Sequence, residues 1–217
     1  MPLNMRVFSS LFLGFDTPMK RIFFLILPFL MLSSAHPGHT AGFSPSQMKD
    51  MSVFLSNFTE LGHTDFKRAD IINAKNPGRM IQFGIWHNYL NNRSAVRQCY
   101  QCQWGDMTVD ASYIQRTLKR YFDYELKHFP EVEQAGYPYH FDGRRYHFSL
   151  IDKTGPSLYA RVTQARQSED GNVTMSGYLY KPGNSQAAVG KFKALARPHL
   201  WNRKKTWTII HIHSSTD

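Results

Sequence analysis

The sequence predicts an α+β domain in which helices come first and pack on one face of a curved antiparallel sheet of about six strands. Three observations carry this. Apolar residues between Ser44 and Pro130 recur at helical spacing behind recognisable helix starts. The rest of the chain alternates with period two between turn residues, and helices and strands nowhere interleave.

The first helix opens at Ser44-Pro45-Ser46-Gln47. Ser44 is placed as N-cap, Pro45 at the first helical position and Gln47 closes a capping box. Met48, Met51, Phe54, Leu55 and Phe58 then form one stripe, and the helix ends near Leu61-Gly62. A second helix starts at Asn76-Pro77. Its residues Met80, Ile81, Phe83, Ile85, Trp86, Tyr89 and Leu90 are apolar nearly all round, so it is expected to be buried on several sides. A third starts at Asp110, with Tyr113, Ile114, Leu118, Tyr121 and Phe122 on one face and Arg116, Lys119 and Arg120 mostly on the other; Pro130 is expected to end it.

Strands follow. Tyr137, Tyr139 and Phe141 alternate up to Asp142-Gly143, after which Tyr146, Phe148 and Leu150 resume, the pattern of a tight hairpin. Leu158 to Gln167 and Val173 to Tyr180 flank a turn at Ser168 to Gly171. Val189 to Ala196 and Trp207 to His213 flank turn residues Pro198 to Lys204. No repeat or low-complexity tract divides residues 44–217, which read as one domain.

The N-terminus reads as a leader. Lys20 and Arg21 precede an uncharged apolar run, Ile22 to Leu32, and Ser33-Ser34-Ala35 places small residues at a signal-peptidase site, so cleavage is expected after Ala35. The run is about half the ~20 residues of a membrane-spanning helix, and no second run of that length follows. Met19 is an alternative start, and residues 36–43 read as a disordered lead-in. The chain carries 26 Lys+Arg against 16 Asp+Glu. Without the leader the balance is roughly +8, which favours solubility and weak attraction to anions; nucleic acid is not the expected partner.

Cys99-Tyr100-Gln101-Cys102 holds both cysteines of the chain. A c-type haem site would need His at 103, where Gln103 stands. A zinc site would need two further ligands, for which His63 and His87 lack a recognisable spacing. A redox dithiol needs a stabilised thiolate at a helix N-terminus, whereas this pair follows the second helix in a polar connector. The expected state is a structural disulfide worth roughly 2 kcal/mol. No metal and no cofactor is expected.

The second helix supplies the candidate binding residues Trp86, His87, Asn88 and Tyr89. His87 and Asn88 lie among apolar residues, so they need hydrogen-bond partners, which main chain, water or a ligand can supply. The expected site is a pocket between this helix and the sheet, walled by Trp86 and Tyr89, with Tyr139, Tyr146, Tyr159, Tyr178 and Tyr180 as possible completing rings. The competing reading is a core His and Asn bonded to main chain. No catalytic residue is assigned, since no carboxylate or serine stands at a recognisable spacing from His87. In the last strand Trp207, Ile209, His211 and His213 are expected on one face. Arg197, His199, Arg203, Lys204 and Lys205 surround Trp201 in a basic turn that could hold a phosphate or sulfate.

Phe54-Leu55-Ser56-Asn57-Phe58-Thr59-Glu60-Leu61, Phe83 to Asn92 and the Asp110-led helix ending Tyr121-Phe122-Asp123 resemble a group of uncharacterised exported bacterial proteins. The resemblance implies a periplasmic or extracellular setting and carries no activity. In order of elements the chain is similar to NTF2-like and cystatin-like folds, which implies a pocket between helices and sheet; the Asp/His pair of the enzymes with the former fold is not found. The function expected is binding of a small ligand or a protein partner. The alternatives are a thiol–disulfide protein using Cys99 and Cys102, or a small NTF2-like enzyme with His87 as acid/base.

Overall fold

The computed structural model describes residues 42–72, 77–130, 136–152 and 157–216. The expected leader, most of the lead-in and Asn76 lie outside the described residues. Helix α1 (Pro45–Thr59) begins as its sequence requires: Ser44 Oγ accepts from the Gln47 N–H at 3.2 Å, and Gln47 Oε1 accepts from the Ser44 N–H at 2.8 Å. A two-residue strand β1 (Phe66–Lys67) and a short helix α2 (Arg68–Ile72) follow. Next come α3 (Gly78–Asn91), strands β2 (Val96–Gln98) and β3 (Met107–Asp110), and α4 (Ala111–Phe122). Asp110 stands at the N-cap of α4 without capping it, because Arg145 Nε donates to its carboxylate at 2.9 Å. The helix stops at Asp123, left-handed at φ 47°, seven positions before Pro130, so a local cap and not the proline ends it.

Strands β4 (His140–Phe141) and β5 (Arg145–Phe148) form the expected Asp142-Gly143 hairpin, and Asp142 Oδ1 accepts the N–H groups of Arg144 and Arg145. Then β6 (Tyr159–Gln167), β7 (Val173–Tyr180), β8 (Ala188–Trp201) and β9 (Lys204–Thr216) run as a meander. The class is α+β, with the strands in two antiparallel sheets. One has the order β1-β9-β8-β7-β6 and the other β2-β3-β5-β4. Residues 198–201, expected in a turn, continue β8. The turn is only Asn202-Arg203, both at positive φ (49° and 63°), which is the backbone of a two-residue hairpin of matching twist. The β8–β9 hairpin is therefore a long arm.

A bulge bends that arm. Leu195 pairs with His211 but Ala196 with Ile209, leaving Ile210 as the extra residue. Ile209 and Ile212 are consequently both buried, and the inward face passes from odd to even positions. Trp207 and Ile209 thus do not share a face with His211 and His213.

Helix α1 buries Met51, Phe54, Leu55 and Phe58 in the core and turns hydroxyls toward the free edge of the larger sheet. Ser52 Oγ accepts from the Val162 N–H at 2.9 Å and Ser56 Oγ from the Ala160 N–H at 3.0 Å, while Thr59 Oγ1 donates to the Leu158 carbonyl at 2.7 Å. Edge strand β6 is thereby covered by a helix, and its backbone groups find partners without a further strand. Helix α3 packs on α4 at Gly84, where an added Cβ would stand 2.6 Å from Ile114 Cγ2. Only glycine permits that approach.

Candidate functional site

The arm, α1, α3 and α4 together enclose a cleft of about 500 Å³. Its floor is the C-terminal end of α3, with His87, Asn88, Asn91 and Asn92. One wall is α4, with Tyr113, Arg116, Thr117, Arg120 and Tyr121, and the rim is Val53 and Asn57 of α1 with Trp201 and Asn202 of the arm's tip. A second groove of about 540 Å³ shares Arg120, Tyr121, Trp201 and Asn202 and runs on toward Lys204, Lys205 and Asp50. The arm is held in place at its side. Arg197 meets the Asp123 carboxylate at 2.6 Å, Lys119 meets it at 3.0 Å, and Arg68 Nε donates to the Phe122 carbonyl at 2.6 Å.

The floor is a network of fixed polarity. Asn88 Nδ2 donates to the Gly84 carbonyl at 2.8 Å and to Thr117 Oγ1 at 3.0 Å, and Asn88 Oδ1 accepts from Asn92 Nδ2 at 3.0 Å. Asn88 thereby joins α3 to α4. Asn91 Nδ2 donates to Glu60 Oε1 at 2.5 Å and lies 3.4 Å from His87 Nδ1. Because a carboxylate only accepts, the Asn91 NH₂ group must face Glu60, and its other hydrogen is presented to His87. His87 Nδ1 is then the acceptor, and the proton of the neutral ring sits on Nε2. Burial, with a smaller contribution from the Arg120 charge, lowers the His87 pKa to about 4, so the ring is neutral at ordinary pH. Phe83 stacks parallel to it at 5.7 Å and Tyr121 meets it edge-on at 4.7 Å. Burial likewise raises the Tyr121 hydroxyl to about 12.

The four residues expected to bind are divided by the helix. His87 and Asn88 reach the cleft. Trp86 and Tyr89 lie on another flank of α3, against Phe148 of the smaller sheet, at 5.4 and 6.3 Å between ring centroids. Trp86 is 3% exposed and its Nε1 donates to the Tyr139 hydroxyl at 2.9 Å. It is a core residue whose truncation would cost about 3–5 kcal/mol. Arg93 covers the Tyr89 ring at 4.3 Å. Nor do sheet tyrosines wall the cleft. Tyr139 and Tyr146 are fully buried, and Tyr159, Tyr178 and Tyr180 cluster with Arg161 on the larger sheet.

Cys99 and Cys102 form a disulfide between β2 and β3, where the Cys99 N–H donates to the Asp106 carbonyl at 2.8 Å. Neither cysteine is at a helix N-terminus. Among the described residues no three of His, Cys, Asp and Glu gather as a metal site, and His213 instead lies 3.3 Å from Asp65. Asn57 is largely buried, with its Nδ2 donating to the Val53 carbonyl at 2.6 Å.

The basic turn around Trp201 proved to be the tip of the arm. Arg116, Arg120, Asn57 and Thr117 were not legible as site residues. The available signal was Arg116 and Arg120 four residues apart on one helix face, where two like charges repel.

The two buried histidines make stability depend on pH. His63 lies between Phe66 and Phe83, and burial, then Arg79, lowers it to about 4, as for His87. A histidine whose folded pKa is depressed binds protons more tightly in the unfolded chain. Stability is therefore complete above about pH 6.5 and is lost as pH falls toward 4, by on the order of 3 kcal/mol per ring. Urea unfolding at pH 7, 5.5 and 4 should show His87→Gln and His63→Gln each losing less stability on acidification than the parent chain. Equal losses would contradict the buried, neutral state of the ring replaced.

Comparison with protein families, characterised proteins and solved structures returned no match, so the reading of the cleft rests on its own geometry.

Proposed function

We propose that this chain is an exported domain that binds a small polar molecule in the cleft between α3, α4 and the arm. The observation that carries the reading is the floor of that cleft. Its amides hold one another in a network of settled donor and acceptor roles, so the groups they leave over would meet a ligand already oriented. The volume, about 500 Å³, suits a small organic molecule. Binding is favoured over acid–base catalysis because Asn91 stands between Glu60 and His87. The carboxylate does not touch the imidazole, and the ring offers Nε2–H to a ligand without a base behind it. A thiol–disulfide role is disfavoured by the position of the cysteine pair between two strands.

The leader pattern before His36 and the resemblance to exported bacterial proteins support the setting, and the disulfide is in keeping with an oxidising compartment. No described helix is long and apolar enough to cross a membrane.

Both halves are open to test. The chain expressed from Met1 in a bacterium should be recovered from the envelope or medium with His36 first by mass spectrometry. Recovery of a chain still starting at Met1 or Met19 would contradict export. For the cleft, the backbone amide spectrum of ¹⁵N-labelled protein screened against a library of polar metabolites should show saturable shifts confined to residues near 57, 87–92, 113–121 and 201–202. Binders that shift only other regions, or none, would count against the cleft.

A further inference from the structure

The cleft wall carries two arginines, while the Glu60 carboxylate behind the floor is engaged by Asn91. Arg116 and Arg120 are one turn apart on α4, and neither forms an ion pair with a described acidic residue. Tyrosine rings hold them instead. The Arg116 guanidinium lies 4.3 Å from the centre of the Tyr113 ring, and that of Arg120 lies 5.0 Å from Tyr121. A ring beneath a guanidinium orients its plane but leaves the N–H edge free, which is the edge that meets an oxyanion in a two-pronged hydrogen bond. The groove beside it continues the same charge with Lys204 and Lys205, opposed by Asp50.

The amides select further. Asn57 and Asn91 each engage their NH₂ group, with the Val53 carbonyl and with Glu60. Their side-chain carbonyl oxygens therefore remain as acceptors at the rim and floor. A bare inorganic anion has no donors for those oxygens, and a neutral sugar leaves the two arginines without a counter-charge. A molecule with both hydroxyl groups and an oxyanion meets both sets, and the Nε2–H of neutral His87 adds a donor between them.

We propose that the cleft takes an anionic, hydroxyl-bearing small molecule of the acidic-sugar type, with its oxyanion group on Arg116 and Arg120 and its hydroxyl groups on Asn57 and Asn91. This rests on the reading of the cleft as a ligand site and adds the chemical class.

The test uses the full folded domain and three probes, sodium glucuronate, glucose and sodium sulfate, against sodium chloride at matched ionic strength. The side-chain signals of Arg116, Arg120, Asn57 and Asn91 are followed by NMR. Glucuronate should give saturable shifts at all four, and sulfate weaker ones confined to the two arginines. Glucose should need at least roughly tenfold more than glucuronate, the worth of one charge-assisted hydrogen bond. Arg116→Gln and Arg120→Gln should each weaken glucuronate by about the same factor. Both arginines are on the surface, so the variants keep the fold, which their unchanged amide spectra away from the cleft would verify.

An anion bound beside Arg120 should also raise the His87 pKa, since it offsets the charge that helps to depress it. Sulfate binding as tightly as glucuronate, with Asn57 and Asn91 unmoved, would overturn the hydroxyl part and leave a plain anion site. Glucose matching glucuronate, or arginine variants binding like the parent, would overturn the charge part. So would shifts that merely follow ionic strength. In each case binders found by the wider library at the same residues would leave the cleft itself standing as a ligand site.

Discussion

The buried Glu60 carboxylate at the end of α1 is the group on which the arrangement of the site depends. A carboxylate removed from water needs hydrogen-bond donors, and Asn91 on α3 supplies one at 2.5 Å. That bond ties two helices separated by a short strand and a short helix in the chain. It also orients the Asn91 amide, which in turn settles which nitrogen of His87 carries the proton. A single buried acidic side chain thus links helix placement, amide orientation and the donor character of the cleft floor.

The remaining elements serve to bring α4 and the arm to that floor. Gly84 lets α4 approach α3 closely, and Asn88 bonds the two helices at the same level. Asp123, in a left-handed cap, collects Lys119 and Arg197, and through Arg197 the arm is drawn against the end of α4. On the far side the hydroxyls of α1 cover the edge of β6, so α1 is positioned by the sheet before it contributes Val53, Asn57 and Glu60. The cleft has no strand in its floor. It is a helical site with a hairpin tip at its rim, so the aromatic ring that β8 brings to it, Trp201, comes from the end of the arm and not from the middle of the sheet.

The features legible in the sequence are those with local causes. The capping box of α1 and the Asp142-Gly143 hairpin follow from a few adjacent residues, as do the paired cysteines and the meander from Leu158 onward. Those that were not legible have distant causes. Strands of two to four residues, β1 to β3, are too short to show alternation, so nothing in the sequence marks the Asp142-Gly143 hairpin as half of a second sheet. The bulge at Ile210 inverts the faces of β9 without a glycine to mark it. Around α3 apolar residues occupy nearly every side, so nothing in its periodicity separates Trp86, which enters the core, from His87, which floors the cleft. Arg116 and Arg120 read as a solvated face because the hairpin tip that shares the cleft with them is over eighty residues away in the chain.

The central claim is that burial keeps His87 neutral, while Glu60, through Asn91, places the ring's proton on Nε2, where it faces a ligand as a donor. The ¹⁵N shifts of the His87 imidazole at pH 5.5 measure this directly, because protonated, Nδ1–H and Nε2–H forms have distinct nitrogen frequencies. The account predicts a neutral Nε2–H ring at that pH. A ring already protonated at pH 5.5, or one carrying its proton on Nδ1, would contradict it.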